Sequence, residues 1–520
     1  MRWSLLLSAL LVIFQCFGAT LVTAQQSRPN VIIIYTDDQG FGDASCLNPE
    51  AKFQTPHLDR LAKEGISFTN GHSSDAVCTP SRYGLLTGRY SWRTRLKRGV
   101  MGAEGECLIA PDQSTIASLL QQQGYHTAMV GKWHLGMDFP GTDYKSRDWS
   151  QPTKNMPLDH GFDYFYGIPA SLNYGVLAWF EGRYAKVPPT LFTAKKNNSR
   201  HVDYRIMPPY QKTPAATPTP QKTKPFEVAE DFIDNQCLTR FTDKAIQWMK
   251  GHQEGDRKED PFFLYLPYTS PHYPVCPLPE FHGQGECGGY GEFVIETDYH
   301  VGRIMKFLAQ AGLDENTMVV FTSDNGPEKS WAGRVEEFAH RSNHIYREGK
   351  RSIYEGGHRV PFFVRWPNGI TAPGRRYDQP IGQIDLLATI AEVSGCKRGN
   401  ADGVDSISFA NVLADATSAG QRPGLMNHAS SGQFSITNGH WKLVLPWKRK
   451  PAELYHLGDD PSETHNLIKK RPGIAKQLSE EATKIVLRGR TTPGPVMPND
   501  TPYWDDLTWI PAKSYPATGN

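Results

Sequence analysis

Beyond its first two dozen residues the 520-residue chain has no apolar run long enough to span a bilayer. Neither sign of charge dominates. Lys and Arg number 56 against 54 Asp and Glu, a net charge of +2, which lacks the basic excess of a dedicated nucleic-acid binder. A local cationic pocket for a small anion remains compatible with that balance. Cysteine is sparse, at eight residues, and no Cys-x-x-Cys pair occurs, so the spacing of a structural zinc site is missing. No internal repeat is present, which excludes solenoids and propellers. What is there is a composition 39% hydrophobic and 21% charged, enough for a packed globular core. At about 150 residues per domain the length suggests roughly three domains, or fewer if one is large.

The first residues have the parts of a secretory leader. Arg2 is followed by "LLLSALLVIF" (Leu5 to Phe14), and "VTA" (Val22 to Ala24) offers small residues for cleavage. We expect a signal peptide over 1–24, hence a secreted or periplasmic/lumenal protein with no stable membrane insertion after its removal. The alternative is an uncleaved anchor, which Gln15 argues against by interrupting the run. Cys16 lacks the preceding small residue of a lipid-anchor site. Export permits disulfides. Without Cys16 seven cysteines remain, an odd number, so at least one is unpaired within the chain. "CPLPEFHGQGEC" makes Cys276 and Cys287 a plausible local bridge. Asn197 and Asn499 stand in glycosylation sequons.

Strand and helix patterns alternate. "NVIIIYT" (Asn30 to Thr36) is an unbroken apolar run, as in a strand buried on both faces. "HTAMVG", "PFFLYLPY" and "TMVVFTSD" read alike. Helical patterns cover Thr55 to Gly65, Ser114 to Gly124 and Asp298 to Gly312, each closed by glycine. This alternation implies an α/β fold with a large, mostly parallel sheet flanked by helices. Asp138 to Pro225 is rich in proline, tyrosine and polar residues and reads as long insertions over the sheet, with Thr213 to Pro225 a loop. After about residue 425 short strands and turns take over, with Asn438-Gly439 a hairpin signal. The expected division is a catalytic domain over 25–424 and a smaller C-terminal subdomain with an antiparallel sheet over 425–520.

In parallel α/β sheets ligands bind beyond the carboxyl ends of the strands. Asp37-Asp38, Lys132-Trp133-His134, His272 and Asp324-Asn325 follow the four strand patterns. Each has a plain alternative, such as a turn, a helix cap or a solvated side chain. Their joint placement at four strand ends favours a site. Crowded together, Asp37, Asp38 and Asp324 would repel one another. A divalent cation relieves that, and with Asn325 the set is all oxygen, which suits calcium or magnesium and is poor for zinc. In "CTPSRYGLLTG" a short helix is expected to start just after Pro80, presenting free N–H groups to an anion with Arg82 one turn in. Cys78 beside it is open to three readings: half of a disulfide, a thiol nucleophile, or a precursor of another group. No general base poised to activate it is evident.

"CTPSR" has the form C-x-P-S-R and is followed by "LLTGR". With "DDQGFGD", "GKWHLG", "SDNGP" and "GKRSIYEGGHRVP" in order, it closely resembles the type I, formylglycine-dependent sulfatases of the alkaline phosphatase superfamily. The resemblance covers about residues 29 to 365 and extends more weakly to "AELYHLGDDPSETHNL" (Ala452 to Leu467), similar to that family's C-terminal subdomain. It implies that a formylglycine-generating maturation enzyme converts Cys78 to Cα-formylglycine, leaving six cysteines. It implies a calcium ion bound by Asp37, Asp38, Asp324 and Asn325. Arg82 and Lys132 would hold the hydrated aldehyde and the sulfate charge, His134 would take a proton from the second hydroxyl, and His272 and Lys350 would contact the bridging oxygen. Ser171, in "GIPAS", is similar to a family serine that binds substrate. The stretch "FGDASCLNPEAKFQ" departs from the family's usual pattern, so the resemblance implies nothing about the substrate rim.

The implied activity is hydrolysis of a sulfate ester of a small molecule or carbohydrate. One hydroxyl of the hydrated aldehyde attacks sulfur, giving a covalent sulfo-enzyme. The second then expels sulfate, where a serine would leave the ester trapped. A phosphoester or phosphonate monoesterase of the same superfamily is the nearest alternative, since fold does not fix substrate. A catalytically silent carbohydrate-binding relative is another. The basic stretch Gly88 to Gly99, with Arg89, Arg93, Arg95, Lys97 and Arg98, reads either as a solvated face or as a contact for a sulfated polysaccharide.

Overall fold

A computed structural model describes residues 28–193, 207–214, 226–420 and 422–515. The leader 1–24, Asn197 and residues 215–225 of the proline-rich loop lie outside them. The apolar run after Asn30 forms the strand Asn30–Asp37, whose residues Val31 to Tyr35 are all completely buried. It is the centre of a ten-stranded sheet. Thr317–Ser323 pairs with it in parallel on one side and Phe262–Pro271 on the other. His126–Lys132 and then Tyr164–Ile168 continue the parallel order. Five adjacent strands therefore end on the same edge. Phe362–Arg365 runs antiparallel beside Thr317–Ser323, so the sheet is mixed at its margin and parallel where the site lies.

The helices Pro56–Glu64 and Ile116–Gln122 fall where the patterns place them. Proline opens the first, and the Thr115 hydroxyl accepts from the Ser118 amide to cap the second. The third extends ten residues upstream of the expected Asp298, as Gly288–Gln310. The glycines of "GGYGEF" mask its start, while the buried Tyr290, Phe293 and Val294 hold that first part against the body. Helix Cys237–Glu254 was not marked by the sequence reading, although its buried Leu238, Phe241, Ala245 and Met249 keep helical spacing. Among the described residues no helix is long and apolar enough to cross a membrane.

A separate four-stranded antiparallel sheet comprises Leu425–His428, Phe434–Asn438, Trp441–Val444 and Glu453–His456. Gly439-His440 makes the tight turn between its middle strands, directly after the paired Asn438, with Gly439 at φ 57°. Helix Pro472–Leu487 covers it with Leu478, Ala482, Ile485 and Val486. The fully buried Lys442 of this sheet donates to Glu355 at 2.9 Å and lies 2.9 Å from Glu463. Because Glu355 follows Lys350 by five residues, this buried charge network ties the small sheet to the segment that carries Lys350.

Three expectations are corrected. None of the seven described cysteines is in a disulfide, so Cys276 and Cys287 do not form a bridge. They are packed in different apolar clusters, Cys276 in the main core and Cys287 with Phe53, Tyr290 and Val294. The basic stretch is not one solvated face: Arg89 and Arg93 are buried, while Arg95 and Arg98 stay exposed. Arg93 is buried on Asp405 at 2.8 Å, Arg89 pairs with Asp500 at 2.8 Å, Arg98 with Asp506, and Lys97 sits 3.7 Å from the Trp504 ring centre. These cations tie the helix after Cys78 to the C-terminal part of the chain. Asn499 is also buried, accepting from Arg93 at 2.9 Å and donating to the Val486 carbonyl at 3.1 Å. The folded chain thus does not present that sequon.

Candidate active site

Strand ends deliver most of the site. Asp37 is the last residue of the central strand, and Asp38 turns the chain sharply at φ 65°. Lys132 ends its strand, and His134 two residues later takes φ 60°. His272 directly follows Phe262–Pro271, and Asp324-Asn325 follow Thr317–Ser323. Gln383 braces this edge from a distant segment, donating to the Ser323 carbonyl at 2.5 Å and accepting from the Tyr35 hydroxyl at 2.7 Å.

Helix Cys78–Thr87 starts at Cys78 itself, three residues earlier than a start just after Pro80, and every residue in it is buried. Its first turn therefore aims free N–H groups into the same space as the strand ends. The Cys78 thiol donates to Asp37 Oδ1 at 3.5 Å. Burial raises its pKa, Asp324 and Asp37 add to the rise, and Lys132 and Lys350 only partly oppose it. A thiolate is disfavoured there, which weakens the reading of Cys78 as a thiol nucleophile, and among the described residues Cys78 has no disulfide partner.

Ligand atoms of Asp37, Asp38, Cys78 and His272 lie within 4.8 Å of one another. Asp324 joins them, its Oδ1 accepting from the Asp38 amide at 3.1 Å. Asn325 joins through its side-chain contact with Asp38 Oδ1 at 2.7 Å. All these residues are buried. Three cations balance the carboxylates: Lys132 on Asp37 at 2.5 Å, Lys350 on Asp38 at 2.5 Å, and Arg82 on Asp324 at 2.7 Å. Asp38 Oδ2 and Asn325 Oδ1 are buried without a hydrogen-bond partner. Three carboxylates and an amide oxygen, two of their atoms unmatched, fit a hard divalent cation such as calcium.

The two histidines are in opposite hydrogen-bonding states. His134 Nε2 contacts the Met101 carbonyl at 3.0 Å, so Nε2 carries the proton and donates. Its Nδ1 is left buried without a partner and free to accept. Burial, with Lys132 and Arg82 nearby, holds its pKa well below the usual imidazole value, so it is neutral. His272 is the reverse. Its Nδ1 donates to the Tyr273 carbonyl at 2.7 Å, and Nε2 faces Asp38 Oδ2 at 3.7 Å. Ser171 sits three residues beyond Tyr164–Ile168, its hydroxyl buried and unpartnered, in a turn whose Pro169 carbonyl accepts from the His134 amide at 2.8 Å.

The structure thus brings the candidate residues Asp37, Asp38, Cys78, Arg82, Lys132, His134, His272, Asp324, Asn325 and Lys350 to one edge, with Ser171 on the turn beside His134. Sequence reading passed over Glu328 and Arg351, which extend the cluster outward. Glu328 accepts from Arg351 at 2.5 and 2.8 Å and lies 3.9 Å from Lys350. The available signal was adjacency: one charge follows "SDNGP", the other follows Lys350 directly.

Comparison with known proteins is consistent along the chain. The Sulfatase family model matches residues 29–396, and the model for the C-terminal part of N-sulphoglucosamine sulphohydrolase matches 344–487. An N-acetylgalactosamine-6-O-sulfatase of Bacteroides thetaiotaomicron is 33% identical over 89% of this chain and 94% of its own. Human arylsulfatase A is 29% identical over 88% of this chain and 87% of its own. A solved Bacteroides thetaiotaomicron structure, from work on the metabolism of multiple glycosaminoglycans, superposes with a TM-score of 0.75 at 30% identity, covering 88% of this chain and 99% of that one. A phosphonate monoester hydrolase of Agrobacterium radiobacter has a TM-score of 0.56 at 18% identity over 88% of this chain and 95% of its own, a likeness of fold alone.

Proposed function

The chain belongs to the sulfatase family and is a sulfuric ester hydrolase, and from that premise we propose that it desulfates a carbohydrate through an oxidised Cys78. The observation that carries the reading is Cys78 at the start of a buried helix, facing Asp37, Asp38 and His272 with Arg82, Lys132 and Lys350 around them. The carbohydrate preference rests on the N-acetylgalactosamine-6-O-sulfatase relative, matched over nearly its full length. Secretion through the leader 1–24 and maturation by a formylglycine-generating enzyme are parts of the same proposal.

Converted to formylglycine and hydrated, residue 78 supplies two hydroxyls on one carbon, one to displace the alcohol and one to release the sulfate. Asp37, Asp38, Asp324 and Asn325 would hold a calcium ion, which would supply Lewis-acid stabilisation of negative charge in the site. Arg82 and Lys132 hold the remaining negative charge in a buried site, where such contacts are strengthened. His134 Nδ1, lacking a partner and neutral, accepts the proton of the second hydroxyl. His272 gives a proton to the departing oxygen from its doubly protonated form: with Nδ1 donating to the Tyr273 carbonyl, Nε2 must carry a second proton, a state that burial opposes and that Asp37 and Asp38 favour, with Lys350 beside it. Ser171 contributes its unpartnered hydroxyl to substrate binding.

The test is release of inorganic sulfate from N-acetylgalactosamine 6-sulfate and related sulfated sugars, beside 4-nitrophenyl phosphate and a phenyl phosphonate ester. Sulfate release with little phosphate or phosphonate turnover supports the reading; the reverse order replaces it with the phosphoester alternative. The metal has its own check. Purified protein should carry stoichiometric calcium by elemental analysis, and Asp324→Ala should lose it. Stoichiometric zinc with no calcium or magnesium would contradict the ligand set.

A further inference from the structure

Arg351 occupies an unusual place. It directly follows Lys350, and its amide donates to the carbonyl of Ala76, two residues before Cys78, at 2.7 Å. Its φ is +79°, a left-handed conformation that favours glycine. An arginine kept where glycine fits without strain points to a use for its side chain. That side chain is 38% exposed, so it reaches the mouth of the cluster and is not absorbed by the core. Glu328, 14% exposed, grips it with both oxygens and also faces Lys350 at 3.9 Å. Tyr273 is half-buried, stacked on His272 with ring centres 4.4 Å apart. Tyr174, also half-buried, lies against His134 at 4.9 Å.

A forked donor and a carboxylate acceptor held edge to edge, with aromatic faces nearby, match the vicinal hydroxyls and C–H faces of a hexopyranose. The ion pair is internally neutral. An incoming uronate carboxylate would meet Glu328 and compete with it for Arg351, whereas an uncharged ring would satisfy both partners at once. We propose that the Arg351–Glu328 pair is a specificity site that holds ring hydroxyls of an uncharged sulfated hexose, orienting its sulfate toward residue 78. This deepens the carbohydrate-sulfatase reading and rests on it.

The experiment compares two substrates with the same kind of leaving group. N-acetylgalactosamine 6-sulfate and cyclohexylmethyl sulfate both release a primary alcohol, but only the first has ring hydroxyls. A panel of other uncharged and uronate sulfated sugars runs beside them. Hydrogen bonds to charged groups set the scale of the loss: Arg351→Lys and Glu328→Gln should lower kcat/KM on the best uncharged sugar about 10- to 100-fold, mainly through KM. The loss on cyclohexylmethyl sulfate should be at least about tenfold smaller, because lysine keeps the charge while losing the fork. Arg351→Gly, which relieves the left-handed strain, should fold and show the same selectivity loss. Equal losses on both substrates, no loss on the sugar, or preference of the native chain for a uronate sulfate would overturn the proposal. If the native chain hydrolyses cyclohexylmethyl sulfate or nitrophenyl sulfate but no sugar sulfate, the carbohydrate reading fails and takes this one with it. If it desulfates sugars and the variants keep their selectivity, this proposal alone fails.

Discussion

Cys78→Ala should leave a folded protein with essentially no turnover on any sulfate ester, a loss of about 10⁴-fold or more by analogy with removal of other covalent nucleophiles. The substitution exchanges one small buried group for a methyl and makes no unpaired charge, so the thermal midpoint should move by only a few degrees. The cations around residue 78 are held by carboxylates that the substitution does not touch: Lys132 by Asp37, Arg82 by Asp324 and Lys350 by Asp38. The site would thus remain assembled around a missing nucleophile. A thiol mechanism predicts the same kinetic loss, so mass spectrometry of the peptide containing residue 78 decides between them. Active enzyme should show the aldehyde or its hydrate in place of the thiol. Active enzyme with only unmodified cysteine would overturn the formylglycine reading, and the rates for sulfate esters would then need another nucleophile.

The central strands were legible because burial on both faces forces continuous apolar runs, as in Val31 to Tyr35 and Met318 to Phe321. The residues just after those runs were legible for a related reason. A buried strand that ends in Asp37-Asp38 or Asp324-Asn325 places charge where the core would otherwise continue, which requires a paired charge or a ligand beside it. What the sequence concealed depends on partners hundreds of residues apart. Nothing local distinguishes Arg93, which is buried on Asp405, from Arg95, whose side chain is 45% exposed. Both stand in one basic run, and tertiary pairing alone separates them. Cys276 and Cys287 are eleven positions apart, yet the start of helix Gly288–Gln310 turns the second into a different cluster. Arg351 is similar: its left-handed backbone and its grip on Glu328 have no periodic signature.

His272→Ala should separate substrates by the basicity of the group that leaves. The ring is fixed by its Nδ1 donation to the Tyr273 carbonyl at 2.7 Å and by stacking on Tyr273. Nε2 is therefore the nitrogen turned toward Asp38 and the reacting centre, 3.7 Å from Asp38 Oδ2. A sugar alkoxide is a strong base and needs a proton as it departs; a nitrophenolate leaves well without one. General acid catalysis is worth about 10²–10⁴-fold, so the variant should lose that much kcat/KM on a sugar sulfate and far less on nitrophenyl sulfate. Because kcat/KM reports the first transfer, a series of sulfate esters with graded leaving groups should show a loss that grows with basicity. His134→Ala should behave differently in kcat, slowing all substrates alike, since the role proposed for its Nδ1 is in release of sulfate after the alcohol has gone. Equal kcat/KM losses across the series for His272→Ala would mean that the imidazole positions sulfate without protonating the leaving oxygen. Lys350, 2.5 Å from Asp38 and adjoining the same space, would then be the group to test as the acid.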